Sequence, residues 1–372
     1  MNNKNKEFSL NLENLYKLPW TNKDNPNWWI EPTTYCQLKC PWCYRWLDTD
    51  KVKFTHIDLN ILKNQVIEFI EKRNVQTISI AWWEPLMYPK ILELVKFISS
   101  KKIFSKIYTN WILLNEKMLL KLKQAWVTEI IIHIDMFQEI PWWKWKNEKQ
   151  LIKLRQKYVD LFKKVWGVNL GFIMPIWKDN IKYLPDLLKF YRTNIDVINL
   201  VVFTVFKDVH KNNHWDFNAN SLAKEISKHT LYKPSSYLAK VKDKNLASWL
   251  FSMWFWNKDI YFWDVDSLIY KKLVESYYKK WWKYFITRKR KKLSFISLTW
   301  LLINKTWREI IKNILFSKNK DIFYQVILII EPPKKVGDWC ESCPDLMYIW
   351  DKLYPSCMIN EYKSFKEVFL KK

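Results

Sequence analysis

Short apolar runs and amphipathic segments alternate along the chain between residues 29 and 203. The apolar runs have the length of strands, whereas Ile57, Ile61, Leu62, Val66 and Phe69 are spaced as on one face of a helix. The pattern predicts strands at 29–34, 77–81, 106–109, 129–135, 168–174 and 196–203, and helices at 57–72, 91–99, 116–124, 148–165 and 181–191. It therefore predicts an α/β fold with a parallel sheet, because each strand needs a crossover helix to return in the same direction.

Side chains that could bind a metal or a ligand stand at the ends of four predicted strands. The first strand leads into a loop with three cysteines, and Glu84, Asn110 and Asp135 stand at or just beyond the ends of the next three. Ligands bind at the carboxyl ends of parallel strands, so we expect these residues to lie at one edge of the sheet. His133 lies inside an apolar run, and we interpret it as a core histidine rather than a ligand.

The three cysteines are Cys36, Cys40 and Cys43, in the spacing C-x3-C-x2-C. Three thiolates are one fewer than a four-iron cluster needs, so one iron stays open to a small molecule. Zinc binding or a plain packing role is the alternative for these cysteines. The spacing, near the N-terminus and after a strand-like run, resembles the signature of the radical S-adenosylmethionine (SAM) enzymes.

This resemblance implies a fold, two cofactors and a reaction class. The sheet would curl into a partial (β/α)6 TIM-like barrel, and a [4Fe-4S] cluster would bind SAM through the open iron. One electron from the cluster would cleave SAM to a 5′-deoxyadenosyl radical that abstracts hydrogen from an unidentified substrate, a peptide or a small metabolite. Because the cofactor carries the difficult step, we single out no side chain as catalytic. An electron donor such as flavodoxin or ferredoxin is the implied partner.

The glycine and tryptophan contents are abnormal. The chain has 3 Gly and 25 Trp, although glycine normally makes up about 7% of a protein, or roughly 26 residues here. Residues 82–85, Trp-Trp-Glu-Pro, resemble the Gly-Gly-Glu-Pro motif of radical SAM enzymes with both glycines replaced. Trp111 and Trp126 follow a predicted strand and a predicted helix, where glycine would supply positive φ. We hypothesise that many of these codons are UGA read as glycine; a genuinely tryptophan-rich protein is the alternative.

The resemblance also implies how SAM would be held. The backbone at Trp82 and Trp83 would accept the SAM amine, and Glu84 would orient that group or buttress the turn. Asn110 and Asp135 would contact the SAM ribose or carboxylate, although either side chain would equally serve to cap a helix or to order a loop.

A second cysteine triplet, Cys340, Cys343 and Cys357, lies near the end of the sequence. Its spacing resembles the auxiliary cluster of Twitch and SPASM-type radical SAM enzymes, and it matches the GTP cyclases of molybdenum-cofactor synthesis. Residues 344–348, however, lack the arginine with which those cyclases hold the nucleotide. The resemblance therefore implies a second [4Fe-4S] cluster but does not extend to the substrate.

Residues 348–356 are predicted to form a hairpin if Trp350 is a glycine, which would return the third thiolate to the first two. Structural zinc is the alternative occupant of this site. Zinc usually takes four protein ligands, and Asp338, Glu341 or Asp345 would have to supply the fourth.

Four regions follow from these motifs: an N-terminal leader (1–27), a radical SAM core barrel (28–206), a basic and mostly helical linking region (207–330) and an auxiliary cluster-binding region (331–372). No cysteine is left over for a disulfide framework, which favours metal ligation in a reducing cytosol. The first 18 residues are polar, and the apolar runs are too short to span a bilayer.

The formal net charge of +25 suits a nucleic acid or an anionic membrane, but lysine enrichment from an AT-rich genome is the simpler interpretation. Residues 271–292 combine an apolar stripe with many lysines, as on an exposed helix face or a docking surface for RNA or lipid. An RNA- or lipid-modifying radical SAM enzyme is therefore the second candidate. A non-catalytic iron–sulfur or zinc protein is a third candidate, from a different class.

Overall fold

The computed structural model describes residues 10–40, 43, 54–140, 147–206, 217–230, 233–257, 261–283, 323–333, 340–349 and 352–356. Its helices are α1 (Leu59–Lys72), α2 (Ile91–Ser100), α3 (Glu116–Gln124), α4 (Glu148–Val165), α5 (Leu184–Thr193), α6 (Ala219–His229) and α7 (Ser267–Trp281). Its strands are β1 (Tyr16–Lys17), β2 (Asn27–Ile30), β3 (Thr77–Ile80), β4 (Phe104–Thr109), β5 (Glu129–His133), β6 (Asn169–Ile176), β7 (Ile198–Val205), β8 (Ser236–Ala239), β9 (Ala247–Asn257), β10 (Tyr261–Asp264), β11 (Phe323–Ile330), β12 (Leu346–Ile349) and β13 (Lys352–Pro355).

Strands β2 to β7 pair with their sequence neighbours, and every one of these pairings is parallel. A helix separates each pair of consecutive strands, as the alternating pattern predicts. Helices α3 and α4 have the predicted bounds. The predicted α/β fold is thus confirmed, and the consecutive order of these parallel strands is that of a partial TIM-like barrel.

The first strand lies earlier than predicted. It ends at Ile30 instead of Thr34, because the chain leaves the sheet at Pro32, which has no N–H to donate. Thr33 then forms an isolated antiparallel bridge with His56. The shift brings the cysteine loop closer to the strand end, since only five residues separate Ile30 from Cys36.

Alternate residues of the central strands face two different apolar cores. In β7, Val201 and Phe203 pack into a core shared with α1 to α6, while Val202 packs into a second core on the opposite face. The second core also contains Cys340 and Cys343. Cys340 and Cys343 are therefore packed against the face of the sheet that the crossover helices do not cover.

The linking region between 207 and 330 differs from the expectation of a mostly helical segment. In its described part, β8, β9 and β11 join the main sheet beyond β7, with β11 parallel to β7 and antiparallel to β9. Strand β9 is a nearly continuous apolar run, and periodicity alone does not separate such a run from a buried helix.

The described end of the leader is also folded onto the sheet, since β1 pairs with β8 and Leu18 is buried in the second core. Among the described residues, no helix combines the length and the apolar character that crossing a bilayer requires.

Tryptophans occupy backbone conformations that favour glycine. Eight non-glycine residues among those described have positive φ, and six of the eight are tryptophans: Trp82, Trp83, Trp111, Trp126, Trp166 and Trp282. At the end of α3, the N–H of Val127 donates to Leu122 O and that of Trp126 to Lys123 O, at 3.0 and 2.9 Å. This is a Schellman motif, and Trp126 stands where that motif usually has glycine. A side chain with Cβ is strained there.

Replacing Trp126 by glycine should stabilise the chain. The indole of Trp126 is 67% exposed and φ is 68°, so the substitution relieves left-handed strain of about 1 kcal/mol and removes little packing. Chemical denaturation of a chain synthesised with either residue would measure the gain in free energy of unfolding.

The control is Trp28→Gly, in strand β2. Trp28 is buried and stacks on Phe69 with ring centroids 3.8 Å apart, so its removal should cost about 3–5 kcal/mol. Equal losses for both variants would contradict the strain interpretation.

Candidate functional site

The candidate site lies where strands β2 to β5 end. The cysteine loop follows β2, the turn at residues 82–84 follows β3, Asn110 follows β4 and Asp135 follows β5. Adjacent parallel strands present these ends side by side, as predicted.

The cysteine loop is ordered by hydrogen bonds to its sulfur and backbone atoms. The N–H of Leu38 and the side-chain amide of Asn110 both donate to Cys36 Sγ, each at 3.5 Å. Cys43 N donates to Cys40 O at 3.0 Å, which closes a turn between the second and third cysteines. Donors around a sulfur are the usual surroundings of a cluster ligand.

The surroundings of Cys36 and Cys40 favour the protonated thiol as long as no cation is bound. Burial raises the pKa of Cys36 to about 12, with a smaller contribution from the nearby charges of Glu84 and Cys43. Burial raises the pKa of Cys40 as well, and the charges of Asp135, Cys43 and Cys36 act in the same direction. The three cysteines are half-buried, and Cys36 and Cys40 become thiolates readily only when a cation such as iron neutralises them. Three cysteine sulfurs are the donor set that an iron–sulfur cluster with an open iron uses.

Within the part of the chain that the structure describes, no three cysteine, histidine or carboxylate side chains converge on a single metal ion.

Glu84 connects three segments of the site. Its backbone N–H donates to Tyr35 O at 3.0 Å, which attaches the turn to the cysteine loop. Its carboxylate accepts hydrogen bonds from Leu86 N at 3.0 Å, Thr109 Oγ1 at 2.8 Å and Asn110 N at 2.7 Å. The side chain is fully buried, and this burial raises its pKa to about 7 against the opposing effect of the three donors. Glu84 therefore buttresses the turn.

The two tryptophans before Glu84 have φ of 70° and 45°. The ring of Trp82 lies 5.2 Å from that of Trp29, and Tyr108 lies 4.7 Å from Trp29 on the other side. Met347, from β12, packs into the same apolar cluster. The indole of Trp82 thus fills space on the inner face of the sheet, next to the turn that is expected to receive the SAM amine.

Asn110 acts on the cysteine loop. Besides donating to Cys36 Sγ, it accepts at Oδ1 from Gln37 Nε2 and from Ile112 N, each at 3.2 Å. The bond to Ile112 N is the turn-ordering role considered from the sequence. A contact of Asn110 with SAM stays a prediction.

Asp135 and His133 form a pair that the sequence did not reveal. His133 Nε2 lies against Asp135 Oδ2, and the imidazole is 42% exposed while the carboxylate is buried. Burial lowers the pKa of His133, but the charge and hydrogen bond of Asp135 outweigh it and the net shift is upward. His133 is therefore no simple core histidine, and Asp135 also accepts from Phe137 N at 2.6 Å. The sequence signal that could have revealed the pair is the position of His133 at the end of β5, on the opposite face of the strand from Ile132.

Comparison with known proteins agrees with this arrangement. Residues 30–191, which contain the whole site, match the family model described as the Radical SAM superfamily. These residues are a radical SAM domain. This match supports an enzyme rather than a non-catalytic metal protein.

Solved structures similar to this chain include Streptococcus suis SuiB bound to S-adenosylmethionine, with 16% identity over 55% of this chain and 47% of SuiB, and a TM-score of 0.44. Native anSMEcpe with bound AdoMet has 17% identity over 54% of this chain and 59% of its own, with a TM-score of 0.42. Methylornithine synthase (PylB) has 13% identity over 55% and 63%, with a TM-score of 0.41. The chain spans about half the length of SuiB, and no curated protein matches it in sequence.

Outside the residues that match the family model, Cys340 and Cys343 lie in a loop that leads into a hairpin. Cys340 and Cys343 are buried, and β12 pairs with β13 in antiparallel register from Leu346–Pro355 to Ile349–Lys352. Ser356 N donates to Asp345 O at 2.8 Å, so the hairpin returns the chain to within two residues of Cys343. The predicted hairpin is confirmed, while Cys357 lies outside the described residues.

Glu84→Gln should destabilise the protein by about 1–3 kcal/mol. All three partners donate to the carboxylate, so one of them would face the amide NH2 and lose its hydrogen bond in a buried site. Urea denaturation would measure the loss. Glu93→Gln, on the exposed side of α2, is the matched control and should change stability by less than about 0.5 kcal/mol. A variant as stable as wild type would show that the buttress is unimportant.

Proposed function

We propose that this enzyme cleaves SAM reductively at a [4Fe-4S] cluster held by Cys36, Cys40 and Cys43, and removes a hydrogen atom from a peptide or a small metabolite. When bound, the cluster supplies the electron that cleaves SAM to methionine and a 5′-deoxyadenosyl radical. The protein holds the three thiolates, fixes the turn that would receive the SAM amine and shields the site from water.

One connected set of contacts carries this proposal. The cysteine loop, the turn at 82–84 and the end of β4 are joined by Glu84 N to Tyr35 O, Glu84 to Asn110 N, and Asn110 to Cys36 Sγ. Three separate sequence motifs thereby become one site at the strand ends. Independent packing roles for the cysteines do not require these connections.

We further propose that Trp82 and Trp83 are glycines in the natural protein, through UGA codons read as glycine. Their positive φ supports this, as does the same conformation at Trp111 and Trp126. Without Cβ, the carbonyls at 82 and 83 would be open to the SAM amine. The space that the Trp82 indole fills beside Trp29 would then be free for SAM or substrate.

A second [4Fe-4S] cluster at Cys340, Cys343 and Cys357 completes the proposal. The buried pair of cysteines and the hairpin that leads back toward them support it. For zinc, Glu341 is a poor fourth ligand because it is paired with Lys17 at 2.5 Å. Asp345 is the remaining described carboxylate for a zinc site, while Asp338 lies outside the described residues.

The partners follow from this chemistry. A one-electron donor such as flavodoxin or ferredoxin would reduce the cluster in a reducing cytosol. Five of the six cysteines lie in the described residues, and none of these five forms a disulfide. An RNA- or lipid-modifying activity stays the second candidate; helix α7 covers 267–281 of the basic stretch, and Arg288 to Lys292 lie outside the described residues.

Anaerobically reconstituted protein should produce 5′-deoxyadenosine from SAM with dithionite as reductant, measured by liquid chromatography. Wild type should hold about eight irons per chain. Cys36→Ala should lose about four irons and all 5′-deoxyadenosine, because the SAM-binding cluster needs all three thiolates. Cys343→Ala is the matched control, and should lose the second set of irons while still cleaving SAM. Colourless, iron-free wild type would refute the proposed function.

Tryptic peptides from the protein isolated from its native cells should carry glycine at positions 82, 83 and 111. Mass spectrometry reads this directly, because each exchange of tryptophan for glycine lowers the peptide mass by a fixed amount. The corresponding codons should be TGA. TGG codons at these three positions, with tryptophan in the peptides, would end the recoding proposal and leave the metal site untouched.

A further inference from the structure

The C-terminal cysteine loop is attached to the radical SAM domain by three polar side chains. Asn25 Nδ2 donates to Ser342 O at 2.9 Å, Arg73 Nη2 to Cys343 O at 2.8 Å and Asn27 Nδ2 to Pro344 O at 3.3 Å. Three consecutive carbonyls of the loop are thereby held by groups around strand β2 and the end of α1. These three hydrogen bonds fix the backbone of the loop at residues 342–344.

Arg73 is the unusual member of this set. It is 2% exposed, it follows the last residue of α1, and its guanidinium carbon lies 5.0 Å from the ring of Trp28. Nη2 is used by the Cys343 carbonyl, whereas Nε and Nη1 are buried and find no acceptor among the described residues. A buried cation with unfilled donors is strongly destabilising unless an anion completes it.

Three acidic groups face this guanidinium: Cys343, Asp345 and Asp24. Asp24 is already engaged, because its two oxygens accept from Asn74 Nδ2 at 2.9 Å and Tyr278 Oη at 2.5 Å. Asp345 has one buried carboxylate oxygen without a hydrogen-bond partner among the described residues. Asp345 and the cysteine site therefore remain as the anions that could complete the guanidinium.

We propose that Arg73 is the positioning residue and counter-charge of the second cluster, donating its Nε and Nη1 hydrogens to sulfur atoms of the cluster at Cys340 and Cys343. This inference rests on the second cluster of the proposed function. A four-iron core with three thiolates carries net negative charge, so it supplies the anion that the buried guanidinium lacks. Zinc bound by the same thiolates offers no bridging sulfides to accept these hydrogens.

A cation and N–H donors beside a cluster stabilise its reduced form, because reduction adds a negative charge. Arg73 should therefore raise the reduction potential of the second cluster and leave the first cluster unaffected. The rival explanation is a structural ion pair between Arg73 and Asp345, which would affect folding but not the potential of any cluster.

The test uses the full chain with Cys36, Cys40 and Cys43 replaced by alanine, so that only the second site binds iron. In this background we would compare Arg73→Met, which removes the charge, with Arg73→Lys, which keeps it, and with Asp345→Asn as the control. Iron content and potentiometric titration followed by electron paramagnetic resonance are the readouts.

Arg73→Met should lower the ratio of reduced to oxidised cluster about tenfold at a given potential, which is ~59 mV for a one-electron couple. Arg73→Lys should recover most of this shift, and Asp345→Asn should not lower the potential. An unchanged potential in Arg73→Met would overturn the role of Arg73 while leaving the second cluster intact. A background protein that binds zinc or no metal would instead overturn the second cluster itself.

If Arg73→Met does not fold, the unsubstituted arginine still decides the question. Chains labelled with ¹⁵N-arginine in the same triple-alanine background should show a nitrogen coupling to the reduced cluster in electron–nuclear double resonance, and Arg73→Lys should lose it. No coupling in the chain that retains Arg73 would refute the proposal.

Discussion

The carboxylate of Glu84 is the interaction on which the site depends. It is fully buried, it accepts from Thr109 and Asn110 at the end of β4, and its own N–H donates to Tyr35 O of the cysteine loop. Burying a carboxylate costs free energy unless its oxygens accept hydrogen bonds. The fold must therefore place the donors of Thr109, Asn110 and Leu86 next to Glu84. These hydrogen bonds align the end of β4 with the turn after β3, and they position Asn110 beside Cys36.

Backbone conformation is the second constraint, and it connects the site with the rest of the chain. The six described tryptophans with positive φ lie in the turn at 82–83, directly after Asn110 and at the ends of α3, α4 and α7. Each has a geometric reason to be left-handed: a strand end that must turn sharply or a helix that must stop. The conformation follows from the architecture, whichever side chain occupies the position. The same backbone requirement therefore underlies the proposed glycines at the turn and those at the helix ends.

The C-terminal extension is coupled to the barrel through backbone carbonyls and through apolar packing. Asn25, Asn27 and Arg73 donate hydrogen bonds to the C-terminal cysteine loop. Met347 packs against the apolar side chains of Trp29, Ala81 and Tyr108. The same hairpin therefore touches both candidate centres. Movement of the hairpin would change the wall of the SAM site and the second cysteine site together.

Much of this organisation follows from local sequence. The alternation of strands and helices, the C-x3-C-x2-C spacing and the tryptophans at glycine positions are determined by residues close together in the chain, and φ at residues 82, 83, 111 and 126 agrees with them. The pairing of His133 with Asp135, the three donors on Glu84 and the buried guanidinium of Arg73 were not predictable. The contacts of Glu84 and Arg73 join segments whose approach depends on sheet order and on the packing of two cores. The pairing of His133 with Asp135 depends on how the chain turns at the end of β5. The strands after residue 235 were missed for a related reason: an apolar run becomes a strand only when a partner such as β7 or β8 completes its hydrogen bonds.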